Sequence, residues 1–138
     1  NDRDIPNYTQ RLAMLNGMIS HSQEIYKNST HNVWFCFGCG GTQSNTSTSA
    51  TNGTAFATSM NNTLLDIIKR KTYGGTLDGV MVAPDPSPLG IVLFNQCTNP
   101  TYKGPDIIKA IIEMNTKFKL KVYTPNDENG DENVDPFA

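Results

Sequence analysis

The stretch Val33-Trp34-Phe35-Cys36-Phe37-Gly38-Cys39-Gly40-Gly41, followed by the Ser/Thr/Asn-rich run from Thr42 to Thr54, decides how the chain is read. Its first five residues are aromatic or β-branched apart from one cysteine and carry no charge. They predict a strand over 33–37, in the middle of a sheet. From 38 to 54 periodicity vanishes and apolar residues nearly disappear, which predicts a flexible loop. Between the two sits a Cys-x-x-Cys pair, Cys36 and Cys39, and its meaning sets how much chemistry the chain shows.

Outward from this stretch the pattern alternates. Leu12, Leu15, Met18, Ile19 and Ile25 recur at helical spacing and predict a helix over 8–26. Phe56, Met60, Leu64, Ile67 and Ile68 predict a second helix over 56–71, ended by Gly74-Gly75. Residues 77–83 and 89–94 read as strands, and the turn cluster Pro84-Asp85-Pro86-Ser87-Pro88 between them predicts a hairpin. Asp78, next to Gly79, reads as a strand-start residue. Pro105 suits a first helical position and Asp106 suits the dipole at that end. The helix that follows, to about residue 116, is expected to bury Ile107, Ile108, Ile111, Ile112 and Met114. Residues 120–123 predict a fourth strand.

With the first helix set aside, the order is βαββαβ. This predicts an α/β (α+β) fold of ferredoxin-like order, an antiparallel sheet with an extra N-terminal helix. Residues 1–125 read as a single domain with the flexible loop at 38–54, and 126–138 as an acidic flexible tail.

The chain has 138 residues, enough for one core. Its net charge of -2 excludes a large basic surface and leaves room for a local patch. No apolar run approaches the roughly 18 residues of a membrane span. Three cysteines in a chain of this size favour a reducing, intracellular setting, cytoplasm or nucleus. Against this stand five Asn-x-Ser/Thr triplets, at Asn7, Asn28, Asn45, Asn52 and Asn61, each a sugar acceptor in a secreted chain. An extracellular glycosylated domain is therefore an alternative.

No catalytic set closes. A structural zinc needs four ligands, and beyond Cys36 and Cys39 only Cys97, His21 and His31 are available, none forming a second spaced pair. A redox pair would open a helix; Cys36 lies in a strand. Gly38, Gly40 and Gly41 lack the Gly-Lys-Ser/Thr of a phosphate loop. Cys36, Cys39 and Cys97 read as buried or strand-end thiols, and neither a metal nor a cofactor is expected.

The runs TLLDIIKRKTYGGTLDGVMVAPDP, LGIVLFNQ and KAIIEMNTKFKLKVY, with VWFCFG at the first strand, resemble a divergent RNA-recognition motif over residues 33–124. The resemblance implies a ferredoxin-like sheet that stacks single-stranded RNA on aromatics, with Trp34 as the platform beside Phe35, helped by basic residues such as Lys117, Lys119 and Lys121. The chain departs from the family where Ser87, Leu89 and Ile91 replace a basic residue and two aromatics. Members without these aromatics often bind proteins. The reading is a non-catalytic binding or assembly module that docks a protein partner within a larger complex, RNA binding being an alternative. A docking module predicts an exposed apolar patch.

Overall fold

A computed structural model describes residues 8–28, 35–39 and 49–119. It is a mixed α/β structure built from three helices and four short strands among those residues.

Helix α1 runs Tyr8–Asn28. Its stripe is the expected one: Leu15 and Ile19 are buried, with Leu12, Met18 and Ile25 half-buried beside them. Ser22 extends the stripe and satisfies its buried hydroxyl on the Ile19 carbonyl at 2.8 Å. Strand β1 spans Cys36–Gly38.

Helix α2 runs Ser49–Tyr73. Phe56, Met60, Leu64 and Ile68, four apart, form its buried ridge. The helix starts earlier than predicted, so residues 49–54 are helical rather than loop. Ser, Thr, Asn and Gly have low propensity for a helix interior, but adding residues to a helix already fixed by its ridge costs far less than nucleating one. Residues 40–48 lie outside the described residues. At the other end Gly74 (φ +75°) takes the left-handed cap position and its amide bonds the Arg70 carbonyl at 2.8 Å.

The next two strands correct the expected topology. Residues 77–83 do not form one strand. Strands β2 (Gly75–Leu77) and β3 (Val80–Val82) fold on each other as an antiparallel hairpin. Asp78 and Gly79 turn it, both with positive φ (50° and 80°). That is the backbone of a two-residue primed turn, and Asp-Gly is one of its preferred sequences. Asp78 is thus a turn residue. The proline-rich segment 84–88 does not turn a hairpin; it carries the chain to strand β4, Ile91–Leu93.

β4 pairs with β1 in parallel, Cys36 opposite Ile91 and Gly38 opposite Leu93. The ladder extends at both ends, Ile91 N–H to the Phe35 carbonyl at 2.7 Å and Cys39 N–H to the Leu93 carbonyl at 2.6 Å. Gly90 (φ +74°) precedes it, and a Cβ there would run into the Phe35 backbone. Parallel neighbours need a long crossover, and α2 with the hairpin provides it. A ferredoxin-like sheet pairs its first and third strands antiparallel; here the corresponding strands run the same way. The predicted strand at 120–123, the end of the 1–125 domain and the tail at 126–138 lie outside the described residues.

Helix α3, Gly104–Asn115, has Pro105 and Asp106 in its first turn as expected. It buries Ile107, Ala110 and Met114, while Ile111 is half-buried. Ile108 and Ile112, expected in the core, are exposed. α2 covers one side of α3, and no described residue covers the flank that carries these two. One core joins the three helices with Leu89 and Cys39, and Val92 and Phe94 pack against it.

Candidate functional site

Strand alternation sorts β4 into two faces. Val92 points to the core, while Ile91 and Leu93 point away and are 49% and 57% exposed. Their neighbours across the ladder, Cys36 and Gly38, are exposed as well. Parallel strands are normally covered on both faces. Here the core covers one, and the other presents two large aliphatic side chains to solvent.

The hairpin shows the same feature. Leu77 stands opposite Val80, with Val82 further along the same face, and all three are exposed. Met81, on the other face, is 78% exposed, its Sδ 3.5 Å from the Thr76 hydroxyl. A two-stranded ribbon open on both faces is marginal by itself in water. On α3, Ile108 and Ile112 line an open groove of about 590 Å³ with Cys97 and Pro105, Lys109 and Glu113 at its rim.

The two strand surfaces share an electrostatic character. From Thr72 to Tyr102 the sequence holds no Lys, Arg or Glu, and its only acids are Asp78 and Asp85. Most of the exposed apolar side chains named above lie in that stretch.

Few of the residues singled out in the sequence come together. Phe35 is half-buried, its ring edge-on to His21 with centroids 5.7 Å apart, so it sits at the α1–β1 junction. Trp34 and Lys121 lie outside the described residues. Lys117 and Lys119 are exposed but occupy the irregular segment after α3, where no strand alternation aligns them. Lys117 Nζ stands 5.6 Å from the centre of the Tyr73 ring, and the Lys119 carbonyl accepts the Tyr26 hydroxyl at 2.7 Å. Tyr73 in turn donates to Glu113 at 3.1 Å, a bond that raises its pKa. Lys69, Arg70 and Lys71 diverge around α2: Lys69 is exposed, Arg70 pairs with Asp66, and Lys71 is buried. No basic patch arises from that run.

The three cysteines are free. Cys36 and Cys97 are exposed; Cys39 is buried, and burial pushes its thiol up to about 12. A thiol held protonated is a poor nucleophile and a poor metal ligand. Among the described residues, no three His, Cys, Asp or Glu side chains cluster as metal ligands would. No described helix is long and apolar enough to cross a membrane.

Asn61, one of the triplet asparagines, is buried at 1% exposure. Its Nδ2, the atom that would carry a sugar, donates to the carbonyls of Asn95 at 2.9 Å and Tyr102 at 2.8 Å. It therefore pins the loop after β4 and a short 3₁₀ turn, Pro100–Tyr102, to α2. Its triplet marks it as a sugar acceptor only under the extracellular alternative. Its place one residue after Met60, at the border of the buried ridge, was the available signal for an inward position.

Compared with protein-family models, with curated proteins and with solved structures, this chain matches none.

Proposed function

We propose that this chain is a non-catalytic docking module that binds a protein partner through its charge-poor apolar surface. The observation that carries the reading is the open face of the parallel β1–β4 pair, where Ile91 and Leu93 face solvent. The exposed hairpin side chains and the Ile108–Ile112 groove add to the same argument. Large apolar side chains grouped on an exposed strand face commonly mark an interaction site. Interface cores are depleted in charge, as the strand surfaces here are.

The RNA-recognition alternative draws less support from the described residues. Nucleic-acid affinity is carried by Lys and Arg against phosphates, and the exposed strands carry neither. A ferredoxin-like sheet would also need antiparallel pairing of the first and third strands. The three free thiols fit the intracellular setting that belongs to this proposal.

Salt and nuclease tests separate the two readings. A complex isolated from the source should survive nuclease treatment and high salt, because apolar docking releases few counterions. Dissociation by nuclease, or a steep loss of affinity with salt, would contradict protein docking and support RNA.

A further inference from the structure

The C-terminal half of α1 and the end of α2 are both tied to one residue, Asp85. Its carboxylate accepts Gln23 Nε2 at 2.7 Å and Lys27 Nζ at 2.8 Å. Its backbone carbonyl lies 3.2 Å from the same Gln23 nitrogen, and its amide donates to the Lys71 carbonyl at 2.8 Å. Lys71 itself is only 8% exposed, and its buried Nζ makes no hydrogen bond among the described residues. A buried ammonium without an acceptor is a strong local destabilisation. The charges that act on it are Asp85, from the segment before β4, and Lys27, from α1. One carboxylate thus acts on two lysines, and Lys27 holds it.

We infer that Asp85 is a two-position latch for α1: paired with Gln23 and Lys27 it holds the helix down, and protonated Lys71 competes for the same carboxylate and loosens that hold. When α1 lifts, Lys27 leaves, and Lys71 gains both Asp85 and solvent.

The direction of the pH effect follows from the proton count. In the closed form burial holds the Lys71 amine down at about 8; Asp85 partly offsets this and Lys27 adds to it. In the open form the amine returns towards its ordinary 10.5. Opening therefore takes up a proton and is favoured at lower pH. Linkage gives an opening equilibrium about tenfold smaller at about pH 9 than at about pH 7.

The test is amide hydrogen exchange of the whole chain, comparing peptides within 8–28 with peptides within 104–115 and correcting for intrinsic rates. In the wild type, α1 should exchange through an opening of lower free energy than α3, and its protection should rise about tenfold across that window. Lys71→Met should give high α1 protection without the pH slope. Asp85→Asn should lower α1 protection throughout. The proposal is overturned if α1 exchanges at the same free energy as α3 or shows no pH slope, or if Lys71→Met keeps the slope. The wild-type profile decides by itself should either variant fail to fold.

Discussion

The side-chain amide of Asn61 reaches out of α2 to the Tyr102 carbonyl at 2.8 Å, joining a helix to a turn that lies 41 residues later in the chain. The same nitrogen also serves Asn95. One polar side chain in the core thereby fixes the path from β4 into α3.

Asn61→Ala should destabilise the fold by about 1–3 kcal/mol, the usual effect of depriving buried polar groups of a partner. Denaturant unfolding measures it. Asn61→Asp should be worse, because a carboxylate cannot donate to two carbonyls. If the chain is expressed through a secretory pathway, peptide mapping of the folded product should find Asn61 without sugar. A folded, glycosylated Asn61 would contradict this packing.

Ile107 and Ile108 are adjacent in sequence and opposite in environment, one fully buried and one 43% exposed. Ile107→Ala should cost about 2–5 kcal/mol through lost burial and a residual cavity. Ile108→Ala should stay within about 0.5 kcal/mol in the isolated chain. Thermal melts of the two variants check the assignment. Equal losses would mean that the flank of α3 is covered.

Lys71 predicts a pH-dependent stability. Its folded pKa of about 8 lies below its ordinary 10.5, so the unfolded chain binds more protons between these values. Stability should rise with pH through that window, the charge being most unfavourable below it. At about 1.4 kcal/mol per pKa unit the difference is of the order of 3 kcal/mol. Other groups titrate in the same range, so the measurement is the difference between wild type and Lys71→Met. The variant should be the more stable protein near neutrality, and the difference should shrink towards pH 10.5.

The helices were legible in the sequence because each carries an apolar ridge at the period of a helix. For Lys71 the charge suggests the surface, and only its place seven residues after Leu64 and three after Ile68 puts it on the buried side of α2. The Asp78-Gly79 pair carried the local signal for a hairpin. Strand pairing was not legible. The uncharged strands at 33–37 and 89–94 fit a parallel or an antiparallel neighbour equally well, because alternation says which face is apolar and nothing about direction. Likewise the isoleucines of α3 showed an apolar helix, but a sequence period does not say whether the same chain supplies the cover. Ile108 and Ile112 were read as core for that reason. The proposed docking surface consists of what the fold leaves over, and the pattern alone gave only the expectation that an apolar patch would exist.

On this proposal the open face of β4 receives a protein. Ile91→Lys combined with Leu93→Lys places two charges on it. Both positions are exposed, so unfolding free energy should change little. The decisive measurement is native mass spectrometry of the wild type and this double variant, each purified from the source at gentle ionic strength. The wild type should carry a defined protein partner, and the variant should run as a bare chain of 15.2 kDa with unchanged circular dichroism. A bare wild-type chain, or a variant that retains the partner at full occupancy, would rule out docking through this face.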